Sequence, residues 1–289
     1  VVEVSAGLNV TGAPLDIVLQ NPDLQAVTAT VAVGAALPSP VAVTGPDGVV
    51  CWTNAAWTHQ SRERWVRPVE AAGAHYLDLT EDVAATRTIK ALAEGSRTAF
   101  MPQCGLAPGF IGIVAHHLAQ GFDTLHDVKM RVGALPAFPT NALKYNLTWS
   151  VDGLINEYCH PCECIHDGSK IDALPLEGLE HFSLDGTEYE AFNTSGGLGT
   201  LCETLAGRVR TLDYKSVRYP GHQALMKLLL EDLQLKDDQA VLKDILRKSV
   251  PGTMQDVVLV FVTVSGLRDG QLLQEVFARK IFADRSEAN

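Results

Sequence analysis

The stretch Met101-Pro-Gln-Cys-Gly-Leu-Ala-Pro-Gly-Phe110 decides the fold. It begins as the end of a short apolar strand and continues as a turn with two glycines and a proline. A helical pattern follows over residues 111–120. A strand that ends in such a turn places backbone N–H groups and one side chain, here Cys104, at the carboxyl edge of a sheet. Open α/β sheets bind their ligands at that edge. The stretch therefore predicts an α/β domain with a ligand-binding edge.

The pattern on either side of this stretch predicts two domains. Strand-like residues 74–78 and 97–101 flank a helical pattern over residues 80–93, which indicates a βαβ unit in a parallel sheet. Further on, two long strand-like runs meet at Arg268-Asp-Gly270, a typical hairpin signature. We predict an α/β protein in which a Rossmann-like parallel-sheet domain with an atypical N-terminal part (residues 1–113) precedes a mixed or antiparallel α/β domain (residues 114–289).

Composition limits the partners and the compartment. The net charge of −11 argues against nucleic acid and anionic membranes, which bind basic surfaces. No apolar run approaches the roughly 18 residues of a membrane span, and the start Val1-Val-Glu-Val lacks the basic region of a signal peptide. The six cysteines are too few for a disulfide framework in a chain of this length. We expect a cytoplasmic protein with a small-molecule substrate.

Three cysteines stand close together in Cys159-His-Pro-Cys-Glu-Cys164, and His166 follows. Thiolates at this spacing can share a zinc ion, but a structural zinc site needs four ligands and a second Cys/His pair at usable spacing is missing. A turn with small buried thiols explains the segment as well. We favour the turn and predict no metal.

Polar residues follow three consecutive predicted strands, at the edge where a sheet of this type forms a pocket. The alternative for Thr80 is that it only caps the next helix. The pocket candidates are Asn54, Asp78, Thr80, Cys104, Gly105, Pro108 and Gly109.

The second domain contains an aromatic and acidic cluster. Tyr145, Trp149 and Tyr158 could form an aromatic wall of a substrate site. An amino acid needs a cation for its carboxylate and a carboxylate for its ammonium group, and Lys144 and Glu157 would supply these charges. The alternative is an amphipathic helix with a solvated charged face.

A glycine-rich loop, Asn193-Thr-Ser-Gly-Gly-Leu-Gly199, precedes a helix that begins at Thr200. It could hold a substrate carboxylate, with Thr194 in contact, or it could be a tight interdomain turn. His181 and His222 are candidates for proton transfer because their unperturbed pKa lies near neutrality. For each of these histidines, taken singly, a structural role is the commoner explanation.

Several segments, in the same order along the chain, resemble the saccharopine dehydrogenase-like oxidoreductases, most closely the lysine 6-dehydrogenase branch. The glycine fingerprint with which that family begins has no counterpart near the start of this chain. The matching segments are Tyr76-Leu-Asp-Leu-Thr80, Gly105-Leu-Ala-Pro-Gly109, Trp149-Ser150, Asn156-Glu-Tyr-Cys159, Glu177-Gly-Leu-Glu180, Asn193-Thr-Ser-Gly-Gly197 and Arg218-Tyr-Pro-Gly221.

The resemblance implies a function for these residues. Such an enzyme oxidises the ε-amino carbon of lysine, passes hydride to NAD (or NADP), and works as a homodimer or larger homo-oligomer. The pocket candidates at the strand ends would then bind the cofactor. Glu157 or His181 would accept the proton of the substrate ammonium, with Lys144 as a third catalytic candidate. The alternatives are a saccharopine reductase or carboxynorspermidine synthase-type enzyme, and a non-catalytic relative that binds an amino acid or serves as an assembly subunit.

Overall fold

The computed structural model describes residues 75–282, except positions 78, 80 and 82, and the backbone of two strands at residues 14–21 and 24–32. The chain forms two compact units. One contains Val1–Gly105 together with Ser286–Asn289, and the other contains Leu106–Arg285.

The described part of the first unit contains two strand pairs. Strands β1 (Pro14–Asn21) and β2 (Leu24–Ala32) are antiparallel, as a connection of two residues requires, because parallel strands need a long crossover. Strands β3 (Tyr76–Leu77) and β4 (Phe100–Met101) are parallel, and helix α1 (Val83–Leu92) connects them. The parallel βαβ unit predicted from the sequence is therefore present at β3–α1–β4.

The second unit is built on a mixed sheet of eight strands with the order β12-β11-β5-β10-β6-β7, in which β9 also pairs with β10 and β8 pairs with β9. Among the strand pairs described in this sheet, only β5 and β10 are parallel, which confirms a mixed α/β fold for this part of the chain. The strands are β5 (Thr124–Pro136), β6 (Cys162–His166), β7 (Ser169–Ala173), β8 (Glu180–Leu184), β9 (Thr187–Asn193), β10 (Val209–Arg218), β11 (Asp256–Arg268) and β12 (Gln271–Phe282).

Helices form two cores in this unit. Helix α2 packs Ile111, Ala115 and Ala119 onto apolar residues of the central strands, and a second core joins α3, α5 and α6. None of the helices in the described ranges is long and apolar enough to cross a bilayer. The helices of this unit are α2 (Phe110–Ala119), α3 (Val151–Cys159), α4 (Leu201–Leu205), α5 (His222–Lys227), which continues as a π-helical turn (Leu228–Asp232), and α6 (Gln239–Ser249).

The hairpin of β11 and β12 confirms the prediction from Arg268-Asp-Gly270. Arg268 pairs with Gln271, so two residues form the turn, and both have positive φ, 51° at Asp269 and 73° at Gly270. Two-residue turns of this kind match the twist of the flanking strands and favour glycine. The ladder of β11 and β12 continues without a break to Val257 and Phe282.

Candidate active site

The candidate site lies where β10 ends, against helix α3 and the start of α5. Ser150 begins α3 as its N-cap, since its hydroxyl accepts a hydrogen bond from the Gly153 N–H at 3.3 Å. The inward face of α3 carries Glu157 and Tyr158, both buried. Arg218, the last residue of β10, is only 2% exposed. A buried arginine next to a buried glutamate is the feature that defines the site.

A chain of hydrogen bonds fixes the Arg218 guanidinium. Its Nε donates to the Tyr158 hydroxyl at 2.9 Å, and Tyr158 Oη lies 3.0 Å from His222 Nε2. The second ring nitrogen of His222, Nδ1, lies 2.9 Å from the Leu143 carbonyl oxygen. Because a carbonyl only accepts, Nδ1 carries the proton, and Nε2 accepts the proton that Tyr158 donates. A single set of proton positions therefore makes all three of these hydrogen bonds possible at once.

Burial decides the charge states along this chain. Burial, together with the neighbouring Arg218 charge, lowers the pKa of His222 to about 3, so the ring is neutral at physiological pH. Burial raises the pKa of the Tyr158 hydroxyl, which keeps it protonated. Burial opposes the charge of Arg218, but Tyr158, Tyr145 and Glu157 raise its pKa overall. Tyr158 and His222 are therefore both uncharged, and their hydrogen bonds hold the positively charged Arg218 guanidinium in place.

We expect the buried His222 to make stability depend on pH. Its pKa is about 3 in the folded protein and close to 6.5 in the unfolded chain, so the unfolded chain binds more protons between these values. Its contribution is complete above about pH 6.5 and falls as the pH drops, by at most about 1.4 kcal/mol per pH unit. Urea unfolding at pH 7, 6 and 5 should show this slope in the wild type and a shallower one in His222→Gln. The matched control is His117→Gln, which changes an exposed histidine on α2 and should keep the wild-type slope. Equal slopes in all three proteins would mean that His222 is not the source of the pH dependence.

Glu157 lies beside the cation with its own hydroxyl partners. Its Oε2 is 3.7 Å from Nη2 of Arg218 and 3.5 Å from the Ser216 hydroxyl, which donates to it. The Thr194 hydroxyl lies 2.8 Å from Ser216 Oγ and completes this short chain. The separation from Arg218 is longer than the roughly 2.7–2.9 Å of a charge-assisted hydrogen bond, so the two charges are close without being locked together.

Three buried polar atoms next to this pair, Tyr145 Oη, Thr148 Oγ1 and Trp149 Nε1, form no hydrogen bond of good geometry among the described residues. Thr148 and Trp149 nevertheless lie close enough to the Tyr145 hydroxyl to act as poorly aligned hydrogen-bond partners, which lowers its pKa. The Tyr145 ring lies 5.4 Å from Cζ of Arg218. Burial raises the pKa of the Tyr145 hydroxyl, and the nearby Arg218, Thr148 and Trp149 side chains oppose this shift. An unpaired buried polar group costs about 1–3 kcal/mol, so a ligand that pairs with these atoms is favoured.

The structure brings together most of the site residues that the sequence predicted in this unit. Tyr145, Trp149, Glu157, Tyr158 and Thr194 all lie around Arg218 or in contact with its neighbours. This is the aromatic and acidic cluster expected from the sequence, and it is a buried site instead of a solvated helix face.

Two predicted residues lie elsewhere. Lys144 is exposed, and its Nζ donates to the Pro220 carbonyl at 2.9 Å, so the cation next to Glu157 is Arg218. His181 is exposed on β8, and none of the contacts found among the described residues joins it to Glu157. Of the two bases considered, Glu157 is the one that lies in the buried cluster.

The candidates near β4 are only partly within the described residues. Cys104 is exposed, and its thiol donates to the Met101 carbonyl at 3.1 Å. Gly105, the buried Pro108 and Gly109 connect this point to helix α2. Gly109 has φ 131°, a conformation that favours glycine. Asn54, Asp78 and Thr80 lie outside the described residues.

Of the three clustered cysteines, Cys162 is buried, and Cys159 and Cys164 are partly exposed. Burial raises the pKa of Cys162 to about 12 and also raises the pKa of Cys159 and Cys164. Within residues 75–282, apart from the three positions left out, no group of three or more His, Cys, Asp or Glu side chains is arranged to hold a metal ion. Cys159 ends helix α3, and Cys162 and Cys164 lie on strand β6, so the turn predicted for this segment is limited to His160 and Pro161.

Sequence reasoning missed Arg218, Ser216 and Glu190 as parts of the site. Glu190 is buried on β9, and its carboxylate accepts from the backbone N–H groups of Gly221 at 2.7 Å and Gln223 at 2.6 Å, which fixes the start of α5 and so the position of His222. The available signal was Arg218-Tyr-Pro-Gly221, one of the segments that carried the family resemblance, where an arginine ends a strand directly before a turn.

The mixed sheet and its helices define a protein of the α/β class, with a buried arginine–glutamate pair at the end of β10. Residues 105–280 match the model of the family described as saccharopine dehydrogenase C-terminal domain. This match covers well over half of the chain, and the chain belongs to that family.

Two solved structures are similar to this chain. Apo saccharopine dehydrogenase (L-Glu forming) from Saccharomyces cerevisiae superimposes with a TM-score of 0.62 at 14% identity, over 78% of this chain and 69% of that chain. Homospermidine synthase from Legionella pneumophila, solved in complex with NAD, gives a TM-score of 0.47 at 16% identity, over 76% of this chain and 59% of that one. The comparison with the yeast enzyme shows a shared fold.

Proposed function

We propose that this chain is an NAD(P)-dependent oxidoreductase that acts on the amine of an amino acid, and that it deaminates lysine oxidatively at the ε-carbon to give 2-aminoadipate semialdehyde. The observation that carries the proposal is the buried pair of Arg218 and Glu157, 3.7 Å apart. Beside it lie the Tyr145 hydroxyl, the Thr148 hydroxyl and the Trp149 indole N–H, whose hydrogen bonds with one another are poorly aligned. A zwitterionic substrate needs both signs of charge and further hydrogen-bonding groups, and this cluster supplies them.

Arg218 is the group that would bind the substrate carboxylate. Arg218 donates hydrogen bonds to the Tyr158 hydroxyl and to the Val217 carbonyl. A guanidinium has five N–H donors, so other donors of Arg218 remain for a substrate. Its Nη2 lies towards Glu157 without a close hydrogen bond. Since the Tyr158–His222 chain holds the guanidinium in place, little entropy is lost when a carboxylate binds in a bidentate manner.

Glu157 is the group that would accept a proton from the ε-ammonium of lysine, whose flexible four-methylene chain would fold back to bring this group close to the carboxylate on Arg218. Hydride can leave the ε-carbon only when the attached nitrogen has a lone pair, so deprotonation of the ammonium must come first. Ser216 and Thr194 orient the carboxylate, and the position of Glu157 within the cluster excludes bulk water. Loss of hydride leaves a substrate imine, and the addition of water to its carbon releases ammonia and the aldehyde.

The cofactor candidates taken from the sequence stay a prediction. The backbone at Gly109 has φ 131°, a conformation that favours glycine. We propose that Cys104, Gly105, Pro108 and Gly109 contact the cofactor, together with Asn54, Asp78 and Thr80. When bound, NAD would supply the hydride acceptor for the amine-bearing carbon.

The number of cations favours lysine over larger substrates. Saccharopine and carboxynorspermidine-type products carry an additional carboxylate or amine-linked group. Arg218 is the only arginine found in the cluster among the described residues. Arg131, which is also buried, is already paired with Glu180 and Asp213. One guanidinium with spare donors suits a substrate with one carboxylate, so saccharopine, which has more carboxylates than lysine, ranks lower as a substrate.

A substrate panel tests the proposal. The purified protein is incubated with NAD or NADP and with L-lysine, saccharopine or carboxynorspermidine, and reduction of the cofactor is followed by its absorbance, with ammonia release measured in parallel. We expect reduction and equal amounts of ammonia with L-lysine. Reduction only with saccharopine or carboxynorspermidine would replace lysine by the alternative substrate. Absence of reduction with every pair would leave the non-catalytic relative as the better account.

A further inference from the structure

The segment between β5 and α3, residues 137–150, carries three polar groups of the site, those of Tyr145, Thr148 and Trp149. Every residue of this segment is described, and it contains no helix and, apart from an isolated bridge between Leu147 and Gly252, no strand. Its position therefore depends on individual hydrogen bonds and not on a continuous backbone ladder. We call residues 137–150 the site segment.

Hydrogen bonds within the site segment fix its local shape. The Asn141 side chain donates to the Tyr145 carbonyl at 2.6 Å, and the Asn141 carbonyl accepts from the Lys144 N–H at 2.9 Å. The buried Asn146 side chain donates to the Thr140 hydroxyl at 3.2 Å. All of these bonds join near neighbours along the chain, so they do not determine where the segment lies relative to the end of β10.

Two side chains attach the middle of the site segment to the turn that follows β10. The Lys144 ammonium donates to the Pro220 carbonyl at 2.9 Å. In the opposite direction, His222 Nδ1 donates to the Leu143 carbonyl at 2.9 Å. These contacts hold two adjacent residues, directly before Tyr145. The position of Tyr145 is therefore coupled to that turn.

The backbone at Lys144 is the point where the site segment changes direction. Its φ is 50°, in the left-handed region that side chains other than glycine rarely adopt. The Lys144 side chain lies at the surface, and the next residue, Tyr145, is buried. A return of Lys144 to negative φ would redirect the chain at Tyr145. The contact of Nζ with Pro220 opposes this change, because it fixes the far end of the same side chain.

We propose that Lys144 is a positioning residue of the substrate site: its ammonium group holds the site segment on the turn after β10 and thereby keeps Tyr145 beside Arg218. The Tyr145 ring centroid lies 5.4 Å from Cζ of Arg218 and 5.4 Å from the His222 ring centroid. The inference rests on the proposed function as far as the ligand is an amino acid, but the contact that positions Tyr145 does not depend on the ligand.

An exposed lysine in this role should affect ligand affinity more than global stability. Loss of the ammonium removes one surface hydrogen bond and leaves the buried contacts of the unit in place. The site segment would then have to be ordered when a ligand binds, and this ordering lowers the affinity. A lysine that contributed only to folding would have the opposite pattern, with a change in stability and none in the affinity of the folded protein.

Hydrogen exchange tests the position of the site segment without any ligand. Lys144→Met removes the ammonium, and Lys144→Arg keeps a charged donor. The matched control Lys248→Met removes another exposed lysine with one close partner, Asp244 at 2.7 Å on α6. Peptides that cover residues 141–149 should exchange at least about threefold faster in Lys144→Met than in the wild type. Lys144→Arg and Lys248→Met should exchange at the wild-type rate.

Calorimetric titration of L-lysine in the presence of NADH tests the consequence for the site. Lys144→Met should bind L-lysine about tenfold more weakly than the wild type, with an unchanged midpoint of urea unfolding. Lys144→Arg should restore the affinity to within about threefold of the wild type, since a guanidinium can also donate to the Pro220 carbonyl. Lys248→Met should bind like the wild type.

Two results would overturn the proposal. The first is equal exchange of residues 141–149 in Lys144→Met and the wild type, which would mean that Lys144 does not hold the site segment. The second is faster exchange with unchanged affinity for L-lysine, which would mean that the site does not need this contact. If the wild type itself fails to bind L-lysine, the proposed function is wrong, and the exchange measurement alone decides whether Lys144 positions Tyr145.

Discussion

Replacement of Glu157 by glutamine is expected to lower the rate of NAD-dependent lysine oxidation by about 100- to 10,000-fold, the usual contribution of a positioned acid or base. The amide has nearly the same shape and can still accept from Ser216, but it cannot take a proton from the substrate ammonium. The fold should therefore remain intact while the chemical step slows. The measurement is kcat and KM for L-lysine as a function of pH, with thermal unfolding as the check on folding.

The pH profile separates a base from a structural residue. The wild type should lose activity at low pH as its base becomes protonated, and Glu157→Gln should lose this limb of the profile, because the amide does not titrate. The variant His181→Gln distinguishes the two bases considered from the sequence. A large loss of kcat in His181→Gln together with wild-type kcat in Glu157→Gln would contradict the assignment of Glu157.

Replacement of Arg218 by alanine is expected to destabilise the protein by about 3–5 kcal/mol, because it leaves a buried carboxylate without its cation. The Tyr158 hydroxyl would also lose a hydrogen-bond donor. Urea unfolding of the single variant measures this loss. Lysine oxidation should fall as well, mainly through a higher KM, since the substrate carboxylate loses its partner.

A double-mutant cycle identifies the cause. In the variant that combines Arg218→Ala with Glu157→Gln, both buried charges are gone, so the loss of stability should be smaller than the sum of the two single losses. The interaction energy between these neighbours should exceed about 0.5 kcal/mol. Additive losses would mean that the two side chains do not interact, and the description of the site as a coupled pair would be wrong.

Local patterns in the sequence were sufficient to predict several elements. Arg268-Asp-Gly270 predicted the hairpin because two residues with positive φ are required there and glycine adopts such a conformation readily. The helical pattern after Gly109 predicted α2, and the aromatic and acidic residues near Trp149 predicted the contents of the site. These features depend on neighbours within a few residues along the chain.

Other features depend on contacts between distant segments. Arg218 meets Tyr158 across 60 residues of sequence, and no local pattern shows that the end of β10 lies against α3. The sequence predicts Lys144 as the cation because an amino-acid site needs a positive charge, but its backbone has φ 50° and its side chain donates to the Pro220 carbonyl. Side chains alternate between the two faces of β8, and His181 lies on the exposed face. The pairing of β8 with β9 decides which residues lie on that face.

The most direct test of the central claim is calorimetric titration of L-lysine into the wild type and into Arg218→Lys, each saturated with NADH, which cannot accept hydride, so that no turnover occurs. The lysine variant keeps the buried charge but loses the planar pair of donors, so it should fold and bind L-lysine at least about tenfold more weakly. Saturable binding by the wild type with this loss in the variant is the result that the account predicts. Equal affinities in the two proteins, or no saturable binding by the wild type, would contradict an amino-acid site at Arg218 and Glu157.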